Sequence, residues 1–253
     1  MDCTPTALFR QRPQCCHSGF RRRIYTRWCW LGVDVYVLDT GLRIEHELLN
    51  THGTNARRYQ RKFVRDIDGD TWHPYGHGTG AAGMIKTVAP HSNIIDVKVT
   101  GANGDAYTIG RAIYSITSRH ISLRDREPKL KDWFGSVINL SLASSDVPLL
   151  RHAVADAIAA GVPIVASSGN FEGKSCRYPA FYLNVICVGG ITRDYTMYEK
   201  SNYGKGLTVW AGGKNVYTST RVSDRSYGHF DGTSLAAPQV AGMCTRDTHL
   251  QIT

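Results

Sequence analysis

Six short apolar runs, rich in β-branched residues, do most to narrow what this chain can fold into. They are Val33–Leu38, Ile94–Val99, Val137–Leu142, Val162–Ala166, Val185–Val188 and Leu207–Trp210, each four to six residues long. That is strand length rather than helix length, and such residues suit a buried, pleated backbone. Turn residues follow two of them closely: Asp39-Thr40-Gly41 after the first and Ser167-Ser168-Gly169-Asn170 after the fourth. Helical spacing lies between several of the runs. Thr108 to Ile121 repeats apolar residues at Ile109, Ala112, Ile113 and Ile116, and Leu149 to Ala160 is amphipathic and closed by Gly161 as a C-cap. His77 to Ile85 reads as a helix of small residues entered from a loop, and Gly232-Thr233-Ser234 opens a last helix. Strands alternating with helices predict an α/β fold with a mostly parallel central sheet and helices on both faces. In such sheets ligands sit outside the carboxyl ends of the strands, where Asp39 and Asn170 fall.

The chain has 253 residues, 42% of them hydrophobic, and no Pro/Gly/Ser-rich linker, so one domain with a sizeable core is expected. Neither an internal repeat nor a low-complexity segment stands out. The formal net charge of +9 raises the question of nucleic acid. The basic residues are scattered apart from an Arg-rich start (Arg10, Arg12, Arg21, Arg22, Arg23, Arg27), and no nucleic-acid motif accompanies them. No nucleic-acid partner is therefore expected. No apolar run reaches the roughly 18 residues of a membrane span, so no membrane association is expected either. The first thirty residues are irregular in pattern. They lack the apolar core of a secretory signal, and their Arg-rich character lacks the amphipathic period of a transit peptide. The seven cysteines are Cys3, Cys15, Cys16, Cys29, Cys176, Cys187 and Cys244. Their spacings do not form a zinc site, and the odd count leaves at least one outside any intrachain pair.

Three residues stand where chemistry is plausible. Ser234 begins a helix after the tight turn at Gly232, so its hydroxyl lies at the positive helix end. Taken alone it could simply cap that helix. His77 is flanked by Gly76 and Gly78, which leave room for a substrate beside an imidazole. Alone it could be an ordinary loop histidine. Asp39 closes a buried strand and needs a partner there, which could be a histidine or its own turn backbone.

Together these residues carry a resemblance. Val35-Tyr36-Val37-Leu38-Asp39-Thr40-Gly41, Gly76-His77-Gly78-Thr79 and Gly232-Thr233-Ser234-Leu235-Ala236-Ala237-Pro238 resemble the three signature blocks of the subtilase family, in its proteinase K-like branch of fungi and bacteria. The resemblance runs from about Gly32 to about Met243. It implies a subtilisin-like fold and a serine endopeptidase that forms an acyl-enzyme. In that scheme Ser234 is the nucleophile, His77 the general base and acid, and Asp39 the group that orients His77. The order Asp, His, Ser is the one general accounts of catalytic triads give for subtilisin.

By the same resemblance Asn170 and the Ser234 backbone N–H form the oxyanion hole, within Ser167-Ser168-Gly169-Asn170. Ser141, Leu142, Ala143 and Ser144 line the primary specificity pocket, with Ser168 and Gly169 beside it. Asn103, Gly104 and Asp105 belong to the facing segment that grips an extended peptide. Large apolar or aromatic residues before the scissile bond are the implied preference. Protein or peptide substrates, a monomer and an extracellular setting follow from the family. No cofactor is expected. Structural calcium is common in the family, but the aspartate sought near Val209-Trp210-Ala211-Gly212 is missing, and no metal site is assigned.

Several departures accompany the resemblance. The family usually has a second histidine where this chain has Gly80, and a Ser-Met-Ala-Thr-Pro-His run where it has Ser234-Leu235-Ala236-Ala237-Pro238-Gln239. Both changes are expected to be tolerated. Residues 1–30 lie outside the family pattern, without a recognisable inhibitory propeptide. Residues 31–253 are read as a catalytic domain lacking the usual portion past the serine helix. The family also implies that Cys187 is half of a disulfide whose partner would lie beyond Thr253. An inactive, truncated subtilase-like protein or binding module is the alternative reading. Two patterns mislead. Gly78-Thr79-Gly80-Ala81-Ala82-Gly83 matches a dinucleotide fingerprint but follows no strand, and the sequon at Asn139 falls in a predicted buried strand. No Gly-x-Ser-x-Gly elbow surrounds Ser234.

Overall fold

The computed structural model describes residues 32–64, 75–100, 105–126 and 133–247. The chain runs through β1 (Val33–Asp39), a 3-10 turn (Glu47–Asn50), β2 (Arg57–Arg58), α1 (His77–Val88), β3 (Asn93–Lys98), α2 (Ala106–Arg124) and β4 (Gly135–Leu140). It continues through α3 (Pro148–Ala159), β5 (Ile164–Ser167), β6 (Ile186–Ile191), β7 (Val209–Gly212), β8 (Val216–Ser219), β9 (Tyr227–Phe230) and α4 (Thr233–Asp247). Seven strands form one sheet in the order β2-β3-β1-β4-β5-β6-β7, with every pair parallel. The antiparallel hairpin β8–β9 stands apart.

Alternation along the strands divides the core in two. Val33, Val35 and Val37 face one way with Ile94, Val137, Val165 and Val188, under Ala81, Ala82 and Ile85 of α1 and Ala236, Ala237, Val240 and Ala241 of α4. Tyr36 and Leu38 face the other way with Ile95, Val97, Ile138, Leu140 and Ile164. There they meet Ile109, Ile113 and Ile116 of α2 and Leu150 and Val154 of α3. Both faces of β1 are thus covered, which is why its sequence is almost unbroken in apolar residues. The chain leaves β1 for β3 on one side and later returns to β4 on the other. That reversal leaves a crevice at the carboxyl ends of β1 and β4.

The expected strands form, with shifted edges. The run from Val162 becomes β5 only at Ile164, because Gly161 takes a positive φ of 86° and the Val162 N–H returns to the Ala157 carbonyl at the end of α3. The run from Leu207 becomes β7 at Val209, after a turn in which the Leu207 N–H bonds to Gly204 O. Two elements carried no usable pattern. β2 is a two-residue edge strand of arginines, and the β8–β9 hairpin is short, polar and only partly buried.

One expectation is overturned. Cys187 is bonded to Cys176, eleven residues earlier, and not to a residue beyond Thr253. Successive turns (Phe181 N–H to Arg177 O, Tyr182 N–H to Pro179 O, Val185 N–H to Tyr182 O) fold the segment back so that the two sulfurs meet. Both cysteines are buried.

Lys86 on α1 is 2% exposed. Its ammonium donates to Thr54 Oγ1 at 2.6 Å, to Ser92 O at 3.3 Å and to Pro90 O, all neutral acceptors. Burial without a carboxylate pushes its pKa from the ordinary 10.5 down to about 8. Above pH 8 the folded protein therefore holds fewer protons at this site than the unfolded chain does. Stability then rises with pH until the unfolded pKa is passed, because charging the buried amine is what costs energy. Urea unfolding from about pH 8 to 10.5 is expected to show wild type gaining stability relative to Lys86→Met, by at most about 1.4 kcal/mol per pH unit. A flat or falling difference would contradict this reading of Lys86.

Candidate active site

Asp39 is the last residue of β1 and is 1% exposed. Its Oδ1 accepts the Thr40 N–H at 2.7 Å and faces His77 Nδ1 at 2.7 Å. Oδ2 is buried without a hydrogen-bond partner. A buried carboxylate accepts, so Nδ1 of the histidine carries the proton, and in the neutral imidazole Nε2 is then the free lone pair. His77 is the first residue of α1 and its side chain is 28% exposed, so the imidazole spans the interior and the cleft.

The flanking glycines hold this contact. A Cβ on Gly78 would lie 2.3 Å from the Gly41 carbonyl oxygen and 3.2 Å from Asp39 Oδ1. Only glycine lets the first turn of α1 come this close. Side chains of the two blocks then satisfy each other's backbone: Gly78 N–H donates to Thr40 Oγ1 at 3.1 Å, and Arg43 N–H to Thr79 Oγ1 at 3.0 Å.

Ser234 is the second residue of α4. A Cβ on Gly242 would meet Val88 Cβ at 3.0 Å and Ile85 O at 3.2 Å, so the last turn of α1 touches the middle of α4. The helices run side by side in the same sense, with His77 and Ser234 at the same end. Pro238, four residues after Ser234, has no N–H to give the Ser234 carbonyl. Ser141, just past β4, supplies the missing donor: its Oγ bonds to Ser234 O at 2.8 Å. The Ser234 hydroxyl in turn donates to Ser141 O at 3.2 Å. A hydroxyl has one proton, so in this rotamer it is directed at Ser141 rather than at His77. The hydroxyl proton must turn away from Ser141 O before His77 can take it.

Asn170 follows β5 and is exposed. Its Oδ1 accepts from Thr233 N–H at 2.9 Å and from Thr233 Oγ1 at 3.0 Å. Because the Thr233 amide can only donate, the carboxamide must turn its NH2 the other way. That NH2 lies against Gly232, whose φ of 136° and missing Cβ leave room for it. Thr233 is therefore an orienting residue that the motif alone did not single out.

The remaining predicted residues divide between cleft and interior. Ala143 and Ser144 line a cleft of about 780 Å³ together with Asp105, which also caps α2 by accepting Thr108 N–H at 2.7 Å. Leu142 packs partly against the core. Ser168 is buried and its hydroxyl donates to Asn202 O at 3.0 Å, and Gly169 N–H donates to Thr233 Oγ1 at 3.3 Å. Neither lines that cleft. Asn103 and Gly104 lie outside the described residues. At the two departures, Gly80 packs within 3.3 Å of Thr218 and 3.7 Å of Phe230, measured from where its Cβ would be. Gln239 Nε2 ties Gly212 O at 2.7 Å to Leu235 O at 2.8 Å. Calcium prefers six to eight oxygens including carboxylates. Among the described residues no group of three or more His, Cys, Asp or Glu is gathered, so no ligand set for it is assigned.

A parallel α/β sheet whose carboxyl edge holds a buried Asp–His pair beside a helix-initial serine defines the class of protein. The subtilase family matches residues 31–247, and the chain belongs to that family. It is 33% identical over 239 residues to a subtilisin-like serine protease of Rhodotorula mucilaginosa, covering 92% of this chain and 68% of the relative. It is 31% identical over 240 residues to cerevisin of Saccharomyces cerevisiae, covering 92% of this chain but 37% of cerevisin. Among solved structures, a cold adapted subtilisin-like serine proteinase superposes with a TM-score of 0.71 at 28% identity, over 88% of this chain and 77% of that one.

The Gly78 contact yields a direct test. Gly78→Ala is expected to destabilise the fold by about 1–3 kcal/mol, since the atom it meets is backbone and cannot swing away. Chemical denaturation with unchanged stability would show that α1 does not approach β1 as described.

Proposed function

We propose that this protein is a serine endopeptidase acting through Asp39, His77 and Ser234. The observation that carries the reading is the 2.7 Å Asp39–His77 contact at the same sheet edge as Ser234. With Nδ1 held by Asp39, Nε2 takes the Ser234 proton once the hydroxyl turns from Ser141. Ser234 Oγ attacks the peptide carbonyl, and the imidazolium then protonates the leaving amine. Water hydrolyses the resulting ester by the same route. The oxyanion would receive Asn170 Nδ2 and the Ser234 N–H, a first-turn amide without an intrahelical acceptor.

Family membership supports protein or peptide substrates, and action as a monomer is part of the same proposal. The buried Cys176–Cys187 disulfide supports an oxidising, extracellular setting, and no described helix is long and apolar enough to cross a membrane. The engagement of the Ser234 hydroxyl by Ser141 favours the rival reading of an inactive protein, and labelling separates the two. A fluorophosphonate is expected to modify Ser234 in folded wild type and to leave Ser234→Ala unmodified. Asn170→Ala is expected to lower kcat by about 10²–10³ with little change in KM. Folded wild type that resists the probe would sink the peptidase reading.

A further inference from the structure

The cleft beside the candidate oxyanion site has two walls that leave the sheet from neighbouring strands. Ala143, Ser144 and Ser145 follow β4, and Phe171 and Arg177 follow β5. The Ser144 N–H donates to Tyr178 O at 2.8 Å and joins the walls at the floor. A peptide whose carbonyl carbon lay at Ser234 and whose carbonyl oxygen lay at Asn170 would direct the side chain of that residue between them.

Arg177 is built into this cleft. Its N–H donates to Ser168 O at 2.9 Å, which fixes its backbone beside β5. Its stem lies on Gly169, where a Cβ would come within 2.8 Å of Arg177 Cγ. The guanidinium carbon sits 5.0 Å from the centroid of the Phe171 ring, next to Asn170. Stacking on Phe171 holds the planar group while leaving its N–H edge available. Two carboxylates also line the cleft, Asp105 and Asp146. Asp146 pairs with Arg151 at 2.5 Å and accepts from Tyr182 Oη at 2.8 Å, and Asp105 caps α2. Phe181, whose ring also lines the cleft, carries Lys205 Nζ 5.5 Å from its centroid, and Lys205 itself is not part of the lining. The pocket therefore offers a held cation and aromatic faces to whatever enters.

We infer that Arg177 is a specificity-determining residue, and that the pocket accepts an acidic side chain, Glu or Asp, on the acyl side of the scissile bond. This rests on the endopeptidase reading, and it replaces the large apolar preference implied by resemblance. A carboxylate matches the guanidinium fork in shape and charge, whereas an apolar side chain would leave that fork partly desolvated and unmatched.

The test uses fluorogenic peptides identical except for Glu, Gln or Phe before the scissile bond. Wild type is expected to favour Glu over Gln by about tenfold in kcat/KM, with Phe below Glu. Arg177→Met should bring Glu and Gln within about twofold, and raising salt from about 0.05 to 0.5 M should shrink the wild-type preference. Equal rates for Glu and Gln, a preference for Phe, or a Glu preference that survives Arg177→Met would overturn the assignment. The same blocked peptides are titrated calorimetrically into folded Ser234→Ala protein, where no turnover is needed. If the fluorophosphonate fails on wild type, only the peptidase reading falls. The subsite is then decided by binding: tighter Glu than Gln, lost on adding Arg177→Met, supports it, and equal binding overturns it.

Discussion

The approach of the first turn of α1 to the end of β1 governs the rest of the site. It is a contact between backbones, made at Gly78 and Gly41 and locked by the Thr40 and Thr79 hydroxyls. It places an imidazole on a carboxylate that water cannot reach. Burying that charge is costly unless it is paired, and among the described residues the Asp39 carboxylate has the Thr40 amide and His77 as its partners. The same arrangement that sets the tautomer of His77 thus fixes where the helix begins. Packing of α1 against α4 carries this placement on to Ser234.

The serine side of the site depends on a different device. Pro238 removes one helical hydrogen bond, and Ser141 fills the gap from the end of the neighbouring strand. Ser234 is thereby tied to the sheet through its own carbonyl, while its hydroxyl can rotate. Thr233 does the corresponding work for Asn170 by holding its carboxamide oxygen. Both devices use a hydroxyl next to the site, Ser141 Oγ on the Ser234 carbonyl and Thr233 Oγ1 with its own N–H on the Asn170 carboxamide, which limits how far those groups must reorganise in the proposed reaction.

Much of this was legible in the sequence, for physical reasons. Strands covered on both faces need continuous apolar residues, so β1, β3, β4 and β5 announced themselves within two residues of their ends. The glycines around His77 and before Ser234 marked close approaches that no other residue permits. The β8–β9 hairpin was not legible, because a half-exposed ribbon carries no apolar period. The partner of Cys187 was not legible either, since the fold-back after Cys176 depends on turns whose composition permits many paths. Arg177 was invisible as a cleft residue because its position follows from Gly169 and Phe171 meeting it across a loop. The role of Ser141 toward Ser234 had a signal that went unused: the proline four residues after the serine.

The proposed reaction requires that Asp39 and His77 act as one unit on Ser234. Rapid mixing with an activated ester, followed by acid quench and peptide mass mapping, tests it most directly. A covalent acyl group is expected on Ser234 in wild type, formed at least about a hundredfold more slowly in His77→Ala. An acyl group on another residue, or one formed on Ser234 at the same rate without the imidazole, would contradict it.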